Sequence, residues 1–504
     1  MREILEATTP PDRLEFGMLA TTRKSNLELD RETMLRIGRQ VCDSVVEHLS
    51  TIRDQPAQRS LPRPDAQRLI DAAPSETGVD FDSLLAFLHA RVFPYHAREP
   101  HPHFMGYIPS SPTFPAVVGD WLASGYNFFA GVWSVAAGPN EIELVVLDWF
   151  RQWIGMPAGT SGLLTSGGSA ATLTALVAAR HAADPTGELV PKLTLYTSDQ
   201  AHSSVQRAAW IAGIPRANVR PIESDADFRM RTDSLAEAVA ADRSAGYRPF
   251  MVVASAGTTN TGAVDPLNEV ADLCTREALW MHTDAAYAGF AALTEKGAAA
   301  LDGLGRSDSV TLDPHKWLFV PFECGCLLAR DPAALERAFS VHPEYLTDVR
   351  AREREVNFAD YGEQLTRSSH ALKVWLSVQY FGLANIREAI ERGIRRAEYA
   401  EELLRARDDF EILSPAQFGV VCFRAHPAGV DDPRELDVLN ERINARVNAT
   451  GRFLISSTKL RGQFSLRLCT QVHRMTEADV EAVLREVVRV EGELLPTLGL
   501  GSLP

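Results

Sequence analysis

The chain has 504 residues, 45% of them hydrophobic, enough to bury a large core divided over two or three domains. Its formal charge of -15 repels nucleic acid and anionic membranes, so neither is expected as a partner. There is no apolar run of about 18 residues, and the start "MREILEATTPPDRLEF" carries acids instead of a basic region and an apolar core, so a cytoplasmic protein is expected.

Residues 1 to about 105 are charged and punctuated by proline, and are helical where they are periodic. In "ETMLRIGRQVCDSVVEHLSTI" the apolar positions fall three and four apart. This segment has too little apolar content for a core of its own, so its helical faces need another surface. From about 106 to 380, short β-rich runs ("LTLYTS", "FMVVAS", "LWMHTD", "SVTLD", "CGCLLAR") alternate with helical stretches, the pattern of a mostly parallel sheet covered by helices. From 381 to 504 a long charged helix leads to "FEILS", "GVVCFRA" and "QFSLRLCT", which predicts a small α+β domain. The six cysteines are scattered as reduced core thiols are. Cys324 and Cys326 share one strand face with no companion pair at metal spacing, so no metal is expected.

In an open α/β sheet ligands bind where strands end, so the residues after each β-run carry the functional reading. After Leu164 comes "TSGGSAATLTALVAAR". Gly167 and Gly168 let backbone approach a ligand, Ser169 offers a hydroxyl, and a helix N-terminus attracts anions, although an ordinary capped helix looks the same. His202 follows "LTLYTS", where a histidine is more often a cap or core residue than a catalyst. Thr258 lies in the hydroxyl-rich loop after "FMVVAS". Asp284 closes "LWMHTD"; an acid there is costly to bury without a cation, and Ala286 beside it leaves room for a flat ligand. Lys316, in "TLDPHKWLFV", either snorkels to the surface or does covalent chemistry. Each feature alone is weak. Together they supply an anion cradle, a flat platform, a buried acid and a lysine amine, which fits pyridoxal 5'-phosphate.

In order, "HPHFMGYIPSSP", "TSGGSAATLTAL", "SDQAHSSVQRAA", "GTTNTGAVDP", "HTDAAYAGF", "DPHKWL", "HPEYLTD" and "LRLC" resemble the markers of group II pyridoxal-phosphate-dependent amino-acid decarboxylases, the family of aromatic L-amino-acid decarboxylase. The resemblance runs from about Glu32 to Leu495. It implies the α/β aminotransferase fold type I, with a seven-stranded, mostly parallel sheet in a large cofactor domain, a small C-terminal domain, and an N-terminal helical segment packed on a partner subunit. A homodimer with its active site at the interface is therefore expected. By the same resemblance Lys316 carries the cofactor, Asp284 pairs with its pyridinium nitrogen, His202 stacks over the ring and Ala286 supports the other face. Gly167, Gly168, Ser169 and His315 would hold the phosphate, and Thr258 would lie beside the ring's polar edge. The family often has Asn where this chain has Asp313, and a carboxylate there sets a second anion against the phosphate.

The implied chemistry is loss of an amino acid's carboxylate as carbon dioxide, with the electrons drawn toward a ring that Asp284 keeps protonated. Tyr345, in a charged stretch expected to be mobile, matches the tyrosine that returns a proton to the α-carbon. Without the resemblance it reads as an anchor for a charged loop. Three alternatives stay open. An aldehyde synthase on the same scaffold differs at the loop tyrosine or the ring-stacking histidine, and both Tyr345 and His202 are present. An aminotransferase or desulfurase lacks the His202 and "DPHKW" contexts. A cofactor-free binding protein would not keep Lys316, Asp284 and His202 together. For the substrate, Tyr107 and Ser110 fit the family, Ile108 replaces an aromatic residue of the aromatic-specific members, and roughly Glu99 replaces a tryptophan. Phe128, Phe129 and Trp133 supply other aromatic surface. An aromatic amino acid is expected, with aliphatic or modified substrates as alternatives.

Overall fold

A computed structural model describes residues 21–22, 27–70, 74, 76–341, 352 and 354–497. The chain divides into two compact units, residues 1–98 with 451–453, and residues 99–450 with 454–504.

In the first unit the helix Arg31–Ser50 is started by Asp30, whose carboxylate accepts from the Thr33 N–H, and the helix Phe81–Arg91 by Asp80, which accepts from the Ser83 N–H. Arg36 pairs with Asp82 and Ser44 bonds His89 (2.9 Å), tying the two helices together on their polar sides. The short strands β1 (Thr21–Thr22) and β2 (Gly78–Val79) pair antiparallel. No residue of Arg31–Ser50 is buried, and Met34, Leu35 and Val46 stand exposed.

The second unit opens with β3 (Phe104–Met105). Its large sheet contains β4 (Ser161–Thr165), β5 (Leu193–Ser198), β6 (Val219–Ile222), β7 (Arg248–Ser255), β8 (Trp280–Asp284), β9 (Ser309–Leu312) and β10 (Gly325–Ala329), in the spatial order 4-10-9-8-7-5-6. Only β10 runs antiparallel to its neighbours, so the sheet is seven-stranded and mostly parallel as expected. Strands β5, β9 and β10 are buried along their whole length; β10 (GCLLA) accordingly reads as a continuous apolar run, while β5 and β9 bury threonine and serine among their apolar residues. The helix Gly168–Ala183 packs over the sheet through small residues, Ala171, Thr172, Ala175, Ala178 and Ala179, which let it approach closely.

A second sheet contains β11 (Phe410–Gln417), β12 (Val420–Ala425), β13 (Leu454–Leu460) and β14 (Gln463–Cys469), antiparallel in the order 11-12-14-13. Its fifth strand is β3, which pairs parallel to β13 through Leu454↔Phe104 and Ile455↔Met105. Phe104 and Met105 are fully buried there. The stretch just before Tyr107 therefore belongs to a sheet made mainly by residues more than 300 positions later. A long helix, Ala371–Arg405, precedes β11 and breaks at Gly382, where φ is +74°. Among the described residues no helix is long and apolar enough to cross a membrane.

Candidate active site

Lys316 lies in a single turn, Pro314–Trp317, placed directly after β9, with proline at the first turn where its missing N–H costs nothing. Trp317 anchors that turn: it is fully buried, and its ring stacks on Tyr287 with centroids 6.1 Å apart and 26° between planes. Tyr287 accepts from the Gly419 N–H at 2.9 Å, so the lysine's neighbour is held on both sides. Lys316 Nζ then reaches Asp313 Oδ2 at 3.0 Å, with both side chains largely buried.

His315, on the same turn, bonds the Cys324 carbonyl through Nδ1 (2.7 Å), which makes Nδ1 the donor and turns Nε2 toward Asp313 Oδ2, 3.6 Å away. Burial pushes its imidazole pKa down, and the Asp313 carboxylate opposes that shift. Asp284 ends β8 and accepts from the Ala286 N–H at 3.1 Å. Burial pushes its carboxyl up; Lys316, the Ala286 N–H and His202 pull it down, and Asp313 pushes it up again. Asp284, Lys316, His202 and Asp313 thus share one electrostatic neighbourhood at the ends of β5, β8 and β9.

At the end of β4, Gly168 begins its helix against the same group. A Cβ built on it would stand 3.1 Å from Ala286 Cβ and 3.1 Å from Asp313 Oδ2, so a side chain there would fill the space. Gly167 precedes it, and Ser169 is exposed beside it. His202 is exposed too. Its Nδ1 accepts from the Ser204 N–H (3.3 Å) with Ser204 Oγ at 2.8 Å, a pattern that leaves the proton of the neutral ring on Nε2. Thr258 is buried after β7, bonded to Thr261 Oγ1 at 2.9 Å. Its loop is fixed to β8 by the Ala256 N–H donating to the Asp284 carbonyl (2.8 Å). Gly257 has φ +92°, and a Cβ there would stand 2.5 Å from Ala288 Cβ, so the loop closes only with glycine.

The Tyr107–Ser110 stretch is held separately. Tyr107 takes a left-handed φ of +50° and exposes its ring, while Ile108 packs partly buried against the core. Ser110 has both donors committed: its hydroxyl to the Val320 carbonyl (3.1 Å) and its N–H to Glu99 Oε2 (2.7 Å). Burial pushes the Glu99 carboxyl up against that N–H. Tyr345 lies outside the described residues.

Sequence reasoning marked "LRLC" only as a marker. In the fold its arginine, Arg467, is buried and donates to the Asn260 carbonyl (3.0 Å) and the Tyr107 carbonyl (2.7 Å), tying the Thr258 loop and the Tyr107 stretch to β14. A charged residue inside the alternating "QFSLRLC" was the available signal, since an arginine rarely stays buried without partners.

The buried acid, the lysine and the helix mouth opened by Gly167 and Gly168 fit pyridoxal phosphate, whereas Asp313 Oδ1, buried without a hydrogen-bond partner, is an acceptor that sets a second anion at that mouth. The family model "Pyridoxal-dependent decarboxylase conserved domain" matches residues 64–426. This chain belongs to the pyridoxal-dependent decarboxylase family. It is an enzyme that uses pyridoxal 5'-phosphate to decarboxylate an amino acid. An aromatic-L-amino-acid decarboxylase of Bacillus atrophaeus is 38% identical over 93% of this chain and 98% of its own length. Among solved structures, the Oryza sativa TDC with PLP and tryptamine superposes with a TM-score of 0.89 at 29% identity, covering 93% of this chain and all of that one. The Rhodiola rosea 4-hydroxyphenylacetaldehyde synthase does so with a TM-score of 0.87 at 26% identity, covering 92% of this chain and 99% of that one.

Proposed function

We propose that this enzyme acts on an aromatic L-amino acid, releasing the amine and carbon dioxide, with its cofactor attached at Lys316. The observation that carries the residue assignment is the electrostatic neighbourhood of Lys316, Asp284 and His202 at the ends of three strands. The aromatic substrate is supported by the 38% identity with the Bacillus atrophaeus decarboxylase.

When bound, pyridoxal phosphate supplies a conjugated, positively charged ring that accepts the electron pair left as the carboxylate departs. The chain's residues prepare the place for it. Asp284, fixed by the Ala286 N–H, holds a proton on the pyridine nitrogen, because a carboxylate in low dielectric strongly favours a cation beside it. His202 would cover one face of the ring and Ala286, having no bulk, would leave room for the other. Gly167, Gly168, Ser169 and His315 receive the phosphate at the mouth of the helix Gly168–Ala183, where unpaired N–H groups and the helix dipole favour an anion. Thr258 stands at the polar edge, and Tyr107 and Ile108 border the substrate. Tyr345 gives the α-carbon its proton after the carboxylate has left, which makes amine the product instead of aldehyde.

A panel of tryptophan, tyrosine, phenylalanine, leucine and glutamate, scored for amine and for aldehyde under air, tests this reading. Amine from an aromatic substrate is expected. Turnover confined to leucine or glutamate would overturn the substrate class, and aldehyde as the main product would overturn the role of Tyr345. The exposed Met34, Leu35 and Val46, in a helix that buries none of its residues, support a homodimer. Sedimentation of the active enzyme as a monomer would refute it. Free thiols, five of them buried, support a reducing cytoplasmic setting, which cell fractionation can check.

A further inference from the structure

Asp313 is 4% exposed, yet only one of its oxygens is paired. Oδ2 meets Lys316 Nζ at 3.0 Å, while His315 Nε2 stands beyond hydrogen-bond reach at 3.6 Å. Oδ1 is buried with no hydrogen-bond partner. The same two oxygens lie 3.1 and 3.3 Å from the place of a Cβ on Gly168, the first residue of a 16-residue helix. The N-terminus of that helix favours an anion, and the chain already keeps a carboxylate against it.

The charges around Asp313 are few. Its own turn contributes Lys316 and His315, and β8 contributes Asp284, on which Asp313 acts as a like charge. From the side of β10 come the Cys324 and Cys326 thiols, both held protonated by burial; Glu143 acts on both of them, Lys373 and Asp120 on Cys324. Gly168 and Ala286 bring none. Lys316 is the one cation within ion-pair distance among the described residues.

On the reading that the phosphate lies at Gly167–Ser169 and the cofactor is joined to Lys316, loading brings a second anion to this space and commits the lysine. Its Nζ then keeps at most one hydrogen and no longer serves Asp313 alone. Two anions in one water-poor space do not both stay fully ionised. We propose that cofactor capture by this chain is proton-linked through Asp313, the phosphate entering together with one proton held between Asp313 and His315. The proton comes from solvent, and no bond of the cofactor is made or broken in taking it up. Affinity for the cofactor therefore falls as the pH rises.

The test uses the full-length apoenzyme and the Kd for pyridoxal 5'-phosphate at pH values from about 6.5 to 8.5, in the parent, in Asp313→Asn and in Asp313→Ser. The cofactor's own phosphate titrates in all three, and both variants also take the ion-pair partner from Lys316, so pyridoxal, which meets the same lysine without a phosphate, is the control that isolates the link between Asp313 and the phosphate. The parent's Kd is expected to rise more steeply than either variant's by up to about tenfold per pH unit, the signature of one linked proton, with the variants binding tighter at the alkaline end. Pyridoxal, which lacks the phosphate, should show no such difference. Parallel pH dependence in the parent and both variants would overturn the proton linkage while leaving the phosphate site intact. Parent enzyme that binds pyridoxal as tightly as pyridoxal 5'-phosphate would instead bring down the phosphate site itself.

Discussion

Asp284 and Asp313 are both buried acids near Lys316, but their surroundings give them different work. Asp284 has the Ala286 N–H and the Lys316 ammonium acting on it, and it ends a strand whose position is fixed on both sides by β7 and β9. Such a rigid carboxylate can hold a charge on the cofactor ring through the whole reaction. Asp284→Asn keeps the shape and one acceptor but loses the negative charge. The variant is expected to bind cofactor, visible as absorbance near the violet edge, and to lose decarboxylation by on the order of a hundredfold or more. A variant that decarboxylates at the parental rate would remove Asp284 from the mechanism. His202 has another kind of support: Ser204, two residues on and the first residue of the helix Ser204–Ile211, fixes its tautomer.

At the scale of elements, the site depends on how β4 is held, since β4 ends at the glycines that open the helix mouth. Glu143, in the helix Trp133–Trp153, accepts from the Leu164 N–H (2.8 Å) and pairs with Arg367 at 2.7 Å, with both side chains buried. Arg367 also donates to the carbonyls of Leu164 (2.6 Å) and Ala130 (3.1 Å). Arg367→Met leaves the Glu143 carboxylate buried without its counter-ion, so unfolding by urea should show a loss of about 3–5 kcal/mol. The double variant Glu143→Gln with Arg367→Met should recover part of that loss, because no charge then remains buried. Equal stability of parent and single variant would mean the pair is solvated in solution. On the proposed reading the product also depends on Tyr345. Tyr345→Phe should retain cofactor and substrate but deliver the proton slowly. Oxygen then competes for the electron-rich carbon, and aldehyde, ammonia and peroxide should appear at the expense of amine. A variant making amine at the parental rate with no aldehyde would make another group, with His202 the first candidate, the proton donor.

Across the whole molecule, burial sets the response to acid. His282, His370 and His473 are each pushed down to about 3 by burial, so they stay neutral in the folded chain while the unfolded chain protonates them below about 6.5. Their neutral burial costs nothing above that pH, and stability is lost as pH falls from 6.5 toward 3, by up to about 1.4 kcal/mol per pH unit for each. Asp265 works in the opposite sense. Burial pushes it up to about 6, so the folded chain gains a proton before the unfolded one and gains stability between pH 6 and its ordinary value of 3.8. Glu491, pushed up to about 7 by burial, acts in the same sense, so these five groups leave a net slope between pH 6 and 4 of about one proton. His282→Asn, which removes a ring bonded to Ser309 (2.8 Å), should lower the slope by about one proton even if it lowers stability overall. Urea unfolding at several pH values reads this directly. An unchanged slope would show that His282 is reached by water.

The amino-acid sequence by itself determined the class of the large sheet and the residues at its strand ends. Both are local properties: a buried parallel strand is a short apolar run, and whatever follows it stands at the ligand edge of the sheet. That is why Lys316, Asp284, His202 and Gly168 could be placed at strand ends from the sequence, although each was a weak signal by itself and only their combination pointed to a cofactor. The tertiary structure decided which distant pieces meet. Phe104–Met105 pairs with Leu454–Ile455, Arg467 reaches the carbonyls of Tyr107 and Asn260, and the Asp313 carboxylate faces Gly168. No local period encodes a partner hundreds of residues away. Such pairings arise when burial of the two sheets brings polar groups together that must then satisfy one another, and the sequence bears only the trace of it, an arginine or an aspartate in an apolar run.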